Sequence, residues 1–505
     1  MSDSAADRSN GPECAQAGGA NSLPRLLTNT LALLVSELVN PLFSAILVIA
    51  ISRYLGPLGL GQYSFILTYV AIFEPVAIFG FHQIIIRDIA KNSMTLNRYV
   101  PAAFLMGTVA TLFCVILMSG VVWFLNYPSE ILRAVYLMAP YLFCTTLLAY
   151  AFAVLQAFER LEQNALVSSG ETFFRVLGSL LLLAFGFQVI GLISLVVVSR
   201  AFALLFALVY TRRVVGRTHY TIDLSLAKSL LPQAATFCAI SLVFILHWRV
   251  DLLMLTQMSG LAVAGFYAAS YRIFDVCTFL FNSYIAAFYP QQARAYATSM
   301  TSFVSSAAKS VKFLSIVSLP LALGFTLVAD RVILLLYGRT FEGSILTLQV
   351  LIWSVVPFAI VRVYSICLVS SLHQSVDFIA NLVALLVNVG LNLLLIPQWG
   401  AVGASIATLC SICLFAVTQH LFISRRLFRI PLLALLWKPL VATALMGVVV
   451  FHVRTVGLYA VVPLAAVIYV ALLLALRPFS ADERDAIMEV WRGFSGSVLQ
   501  RLSMM

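Results

Sequence analysis

LLPQAATFCAISLVFILHWRVDLLMLTQMSGLAVAGFYAASYRIFDVCTFLFNSYIAAFY, residues 230–289, decides the architecture of this chain. Two apolar runs, 230–257 and 262–289, flank the turn at Ser259-Gly260. Their apolar residues are continuous rather than alternating, which excludes a barrel strand and leaves the helix as the spanning element. Each run can cross a hydrocarbon layer of ~30 Å, which takes about 20 helical residues. Each also carries an arginine, Arg249 in the first and Arg272 in the second, about equally far from the turn. On two antiparallel helices those guanidinium groups fall at one depth. Without a shared carboxylate they would form an anion clamp, because guanidinium forks match phosphate geometry.

The same pattern fills the rest of the chain, whose 505 residues are 62% hydrophobic and 10% charged. The spacing predicts spans at 26–51, 60–81, 100–125, 132–158, 165–186, 190–211, 230–257, 262–289, 308–329, 343–370, 377–396, 402–423, 432–452 and 457–476. Turn chemistry marks several breaks: Gly56-Pro57, Tyr127-Pro128, Ile396-Pro397 and Arg477-Pro478. The expected fold is therefore an all-α polytopic membrane protein with about fourteen transmembrane helices. Lys and Arg gather in alternate connections: Arg87, Lys91 and Arg98; Arg212, Arg213, Arg217 and Lys228; Arg425, Arg426 and Arg429. Basic connections stay cytoplasmic, so both termini are expected on that side. The formal charge of +11 then reflects loop bias and buried cations, not a nucleic-acid partner.

The chain also repeats. Gly59-Leu-Gly61-Gln-Tyr63 follows the first span, and Gly260-Leu-Ala-Val-Ala-Gly265-Phe-Tyr267 follows the seventh. Aligning Gly61 with Gly265 aligns Tyr63 with Tyr267, and Ile190-Gly191 echoes Val402-Gly403. Two six-helix lobes in parallel pseudo-repeat are expected, with two extra C-terminal spans, a plan used by transporters. The boundaries are a disordered cytoplasmic tail over 1–25, an N-lobe over 26–211, a cytoplasmic linker over 212–229 and a C-lobe over 230–423. Two further spans occupy 424–476, and 477–505 form a cytoplasmic tail. Within that tail Ser480-Ala-Asp-Glu483 reads as a capping box, followed by an amphipathic helix on the inner leaflet. The polar start of the chain lacks the pattern of a secretory signal, so the first span is expected to direct insertion itself. Of the eight cysteines, all but Cys14 lie in apolar runs and read as buried inert thiols, the Cys410-Ser-Ile-Cys413 spacing included.

A charge near the bilayer centre costs roughly 3 kcal/mol on insertion scales, so such residues face a cavity or a partner. The candidates are Glu37, Glu74, Arg175, Arg200, Arg249, Asp251, Arg272, Asp275 and Arg362. Arg175 and Arg200 flank the turn near Val189 as Arg249 and Arg272 flank Gly260. Local neutralisation is the competing reading: Glu171 precedes Arg175 by one helical turn, and Arg272 precedes Asp275 likewise. Arg249 and Asp251 point to different sides, and Arg200 and Arg362 have no local acid. Asn381, Asn388 and Asn392 share one helix face, where they either line a sugar path or join helices by hydrogen bonds. Glu37, Glu74 and Asp251 are the candidates for ion or proton coupling. His82 and His247 read as ordinary packed or interfacial histidines. No Gly-Lys-Ser/Thr phosphate loop is present, and no connection is long enough for a soluble catalytic domain. The chain is thus not expected to be an enzyme or to use a metal or cofactor.

RYLGPLGLGQYSF (53–65), FGFHQIIIRDIA (79–90), RVDLLMLTQMSGLAVAGFYAASYRIFD (249–275) and LNLLLIPQWGAVGASIATLCS (391–411) carry a family resemblance. In that order they resemble polysaccharide-transport proteins of the multidrug/oligosaccharidyl-lipid/polysaccharide exporter superfamily, over about residues 26 to 425. The resemblance implies a flippase for undecaprenyl-pyrophosphate-linked repeat units in a bacterial inner membrane, serving O-antigen, exopolysaccharide or capsule assembly. It implies a V-shaped pair of lobes around a cationic lumen. By charge and depth that lumenal role falls on Arg53, Arg87, Arg175, Arg200, Arg249, Arg272 and Arg362. The implied partners are the lipid-linked oligosaccharide, membrane lipids, and the polysaccharide polymerase and chain-length machinery. An ion-coupled drug or organic-cation antiporter of the same superfamily is the alternative; its site would need buried acids and aromatic walls.

Overall fold

The computed structural model describes residues 22–216, 220–453 and 457–476, with side chains described from Asn40 onward. All regular structure among them is helical. In chain order the helices are α1 (Ser22–Ile78), α2 (Phe81–Lys91), α3 (Leu96–Phe124), α4 (Ser129–Leu137) and α5 (Ala139–Ala157). There follow α6 (Leu161–Ala184), α7 (Val189–Val215), α8 (Leu224–Ser259), α9 (Leu261–Thr298) and α10 (Met300–Leu336). The last are α11 (Ser344–Leu351), α12 (Val355–Ser370), α13 (Gln374–Arg426), α14 (Leu432–Val453) and α15 (Leu458–Leu476). Twelve helical stretches among the described residues are long and apolar enough to cross a membrane. Two of these, α1 and α13, are each broken once, at Gly56 (φ 66°) and Gly400 (φ 52°). Both angles lie in the left-handed region that glycine alone enters without strain. At Gly56 the following Pro57 also excludes helical backbone for the residue before it and starts the next helix.

The breaks differ in detail from the expected turns. The chain stays helical through Pro397 and turns three residues later, at Gly400. The connection expected after residue 289 is also helical: α9 runs on through Pro290 to Thr298, and Ser299 caps α10 by accepting from the backbone N–H of Ser302. In the basic connection after α1, α2 buries Phe81, Ile84, Ile85 and Ile89 on one face. The expected capping box and amphipathic helix at 480–503, the Arg477-Pro478 break and Cys14 lie outside the described residues. Cys410 and Cys413 are free but exposed, not buried.

The internal repeat is visible in how the helices cross. A Cβ at Gly61 would lie 1.8 Å from the Leu261 carbonyl oxygen, and one at Gly265 would lie 2.0 Å from the Pro57 carbonyl oxygen. In the alignment of Gly61 with Gly265, Pro57 falls on Leu261. The two approaches are therefore one contact seen from both partners, as a pseudo-two-fold axis requires. The fourth and tenth spans repeat a second feature. Each opens with a short helix (α4, α11) that breaks before the longer one (α5, α12). Outside the paired lobes, α14 and α15 pack against α10, where the Tyr469 hydroxyl donates to the Ile316 carbonyl at 2.7 Å.

Candidate functional site

The lobes meet at the glycine crossing and part below it. Between them lies a cavity in three connected compartments. The inner one, about 310 Å³, is bounded by α1, α5, α6, α8 and α9 and lined by Ser44, Tyr63, Glu74, Tyr141, Arg175, Trp248, Arg249, Tyr271, Arg272 and Asp275, among others. The middle one, about 480 Å³, shares Ser44, Arg175, Arg249, Arg272 and Asp275 with the first and adds Ser168, Glu171 and Arg200. The outer one, about 600 Å³, shares Asn40, Pro41, Phe279 and Asn282 with the second and reaches Tyr289 and Arg362. Successive residues on α9 thus track the cavity away from the crossing.

Arg249 and Arg272 stand on either side of the Gly260 turn at nearly equal helix lengths, roughly 17 Å from it at ~1.5 Å per residue. A shared carboxylate is nevertheless present: Asp275 Oδ2 lies 4.0 Å from one guanidinium and 3.9 Å from the other. The expectation of an unshared pair is corrected, but both distances exceed hydrogen-bond length, so neither arginine is locked to the acid. Arg249 also lies over the Tyr271 ring, 5.4 Å from its centroid, and Arg272 donates to the Pro41 carbonyl of the other lobe at 3.2 Å. The local pairing of Glu171 with Arg175, the competing reading, does not form. Glu171 instead faces Arg200 across α6 and α7 at 3.3 Å. Arg200 donates to the Tyr141 hydroxyl at 3.0 Å, which in turn donates to Glu74 at 3.2 Å. Arg175 is left without an ion pair among the described residues, and its Nε is buried without a hydrogen-bond partner. Arg362 Nε is likewise unpartnered.

Other expected site residues are placed elsewhere. Arg53 donates through Nε to the Leu336 carbonyl at 2.8 Å and through a terminal nitrogen to that of Leu335, capping the C-terminal end of α10 from the opposite lobe. This suits a cation, because those carbonyls lack helical donors. Arg87 pairs with Asp88 at 2.6 Å and reaches Gln233 at 3.3 Å. That pairing holds the Asp88 carboxyl below the usual carboxylate range. Neither arginine lines the three compartments. The asparagines also line none of them. Asn381 bonds His247, Asn388 donates to Ser411 at 3.3 Å, and Asn392 donates to Asp251 at 2.7 Å and Asn388 at 2.9 Å. Of their two readings, helix joining is the one the geometry supports.

Asp251 is buried behind the inner compartment. It accepts from Asn392, from the Tyr267 hydroxyl at 2.9 Å and from the Thr408 hydroxyl at 2.6 Å, all neutral donors. Arg249, two residues before it, faces Asp275 instead. Glu74 lines the inner compartment; the side chain of Glu37 lies outside those described.

The family described as "Polysaccharide biosynthesis protein" matches residues 26–296. The chain belongs to this polysaccharide biosynthesis family. No curated protein sequence matches it. Solved structures share its fold at low identity. A lipid II flippase, MurJ, in an inward closed conformation is 13% identical with a TM-score of 0.74, covering 91% of this chain and 100% of its own. An inward-facing multidrug resistance MATE family transporter of the MOP superfamily is 15% identical with a TM-score of 0.66, covering 79% and 98%. A MOP superfamily transporter from Pyrococcus furiosus is 14% identical with a TM-score of 0.57, covering 80% and 95%. This member of the polysaccharide biosynthesis family therefore has the MOP-superfamily fold, as a multi-pass membrane protein.

The sequence reading missed Tyr141, Trp248 and Tyr271, which wall the inner compartment. For two of them the signal was adjacency, since Trp248 precedes Arg249 and Tyr271 precedes Arg272, whereas Tyr141 has no arginine neighbour in sequence.

Proposed function

We propose that this chain is a flippase for lipid-linked oligosaccharides. It carries a glycan joined to an undecaprenyl lipid through a diphosphate, from the cytoplasmic to the outer leaflet of a bacterial inner membrane. The product serves O-antigen, exopolysaccharide or capsule assembly. The observation that carries this reading is the arginine set at the boundary of the inner and middle compartments. Arg175, Arg249 and Arg272 line both, with only Asp275 among the acids doing so. A diphosphate leaving water needs its hydration replaced by preorganised donors, and guanidinium forks supply them. The compartments follow α9 toward the end of the bundle that bears the basic connections, which is the cytoplasmic side by charge bias. Cargo is taken up there and released after the lobes rock about the crossing.

The antiporter alternative has Glu74 and the aromatic wall in its favour. An organic cation would however meet Arg175, Arg200, Arg249 and Arg272 against Glu171 and Asp275 in the middle compartment, an excess of its own charge. Asp251 is proposed as the coupling-ion site, since a carboxylate held only by neutral donors retains attraction for a cation. Glu74 is the second candidate. Replacing Asp251 by Asn removes the dependence of transport on an ion gradient if this holds; unchanged dependence rejects it. Polymerase and chain-length proteins are the expected partners in the membrane.

The deciding test is Arg249→Gln with Arg272→Gln in a host that relies on this protein for surface polysaccharide. Polysaccharide is lost while the variant remains in the membrane at wild-type level. Normal polysaccharide from that variant refutes the reading.

A further inference from the structure

The inner compartment combines arginines with aromatic rings in a way that the diphosphate alone does not require. On α8 the pair is Trp248-Arg249, and on α9 it is Tyr271-Arg272. The two dipeptides are tied at one depth, because the Tyr271 hydroxyl donates to the Trp248 carbonyl at 3.0 Å. Trp248 is braced from behind. The His247 ring stacks on it at 5.3 Å and 22°, and Phe358 meets it edge-on at 5.3 Å and 86°.

Trp248 presents ring surface to the compartment, whereas Tyr271 is buried with Arg249 over its ring and serves to hold Trp248 in place. The hydroxyls of Tyr141, Tyr267 and Tyr271 are all engaged, with Glu74, Asp251 and the Trp248 carbonyl respectively. Ring faces suit the C–H patches of a pyranose, and preorganised ones cost little entropy to use. In a glycosyl diphosphate the first sugar is covalently attached to the phosphate. A protein reading both must place an aromatic face next to a guanidinium, as Trp248-Arg249 does. At about 310 Å³ the compartment is at the small end of small-molecule sites (roughly 300–1,000 Å³). It admits a headgroup, not a whole repeat unit.

We propose that Trp248, positioned by Tyr271, forms the platform for the sugar attached directly to the diphosphate. Selectivity for the cargo's first sugar then resides in the C-terminal lobe. Later sugars extend into the middle compartment, where no aromatic side chain from α8 lies. The inference rests on the flippase reading above and deepens it to a hexosyl diphosphate headgroup.

The full chain in lipid nanodiscs tests this with two kinds of ligand: short-chain prenyl diphosphates bearing a sugar, one with an N-acetylhexosamine and one with a hexose, and the same prenyl diphosphate without sugar. The wild-type protein is expected to bind the better of the two glycosylated ligands roughly tenfold more tightly than the bare one. Trp248→Leu brings the two affinities within about twofold of each other. Trp248→Phe, which keeps a ring, retains part of the preference and guards against a folding failure. Arg249→Gln with Arg272→Gln weakens both kinds. Equal binding of both kinds by the wild type overturns the platform and leaves the diphosphate site standing. Binding of neither overturns the flippase reading as well.

Discussion

The glycine crossing allows a quantitative test of how the lobes close. In Gly61→Ala the added methyl lies 1.8 Å from the Leu261 carbonyl oxygen, and ordinary contact begins near 3.4 Å. The obstacle is backbone, which cannot rotate away, so the helices must part by about 1.6 Å at this point. Gly265→Ala meets the Pro57 carbonyl at 2.0 Å and calls for nearly the same separation. Overpacking of this kind costs roughly 1–3 kcal/mol, which shifts a two-state equilibrium about 5- to 150-fold toward the form in which this mouth is open. Because one separation relieves both clashes, the double variant shifts less than the two single effects combined. The assay is pulsed dipolar spectroscopy with spin labels at Tyr54 and Leu335 in a background lacking native cysteines; both positions are exposed, on opposite lobes. Expected is a loss of the short-distance population in either variant. An unchanged distance distribution, in protein that remains folded, would refute the claim that this crossing holds the mouth shut.

Asn392→Leu removes a donor to Asp251 and one to Asn388, and is expected to lower thermal stability by roughly 1–3 kcal/mol without changing which glycan is carried; altered glycan selectivity at normal stability would restore the sugar-path reading. Asp275→Asn takes away the acid between Arg249 and Arg272. Prenyl diphosphate should then bind about tenfold or more tightly while transport slows through poor release, measured by titration and by flipping in proteoliposomes; weaker binding would mean Asp275 orients the arginines rather than competing with cargo. Asp223, outside the spans, caps α8 through the Leu226 N–H and pairs with Arg98, both of which hold its carboxyl below the usual range. A depressed value means the cap stabilises at neutral pH and weakens as pH falls through that lowered value. Protection of the amides at the start of α8, measured relative to their intrinsic exchange rates, should fall in acid, and Asp223→Asn, which caps without titrating, should make that protection independent of pH.

The fold was legible because the bilayer imposes one length and one polarity on every span, and because the repeat left Gly61 and Gly265 in register. The ends of α9 and α10 were less so. Their extensions beyond the hydrocarbon carry Gln292, Arg294 and Ser299, and polar helix reads like loop when hydropathy is the guide. In the site, depth singled out Arg175, Arg200, Arg249, Arg272 and Arg362, which line the compartments; for the first four, hairpin symmetry needs only counting. Partner choice was not accessible that way. Glu171 has Arg175 one turn away on its own helix, yet faces Arg200 on the next one. Arg53 shows the same limit, its partners being main-chain carbonyls that no residue pattern reveals.

The division of the site between lobes explains how cargo could drive movement. A ligand shifts a conformational equilibrium only through differential affinity for the two states. Arg249, Arg272 and Trp248 belong to the C-terminal lobe, whereas Arg175 stands on α6 of the N-terminal one. A headgroup held by one lobe alone would ride with it and exert no force on the interlobe angle. A diphosphate bridging Arg175 to Arg249 and Arg272 is bound best at one spacing of the lobes, and its binding energy acts on that spacing directly. Arg272 already links the lobes directly, reaching across to the Pro41 carbonyl of α1. Phosphate oxygens compete for that same guanidinium. Under the flippase proposal, loading the site would exchange a direct protein bond between the lobes for one through the cargo, and closure would become conditional on being loaded.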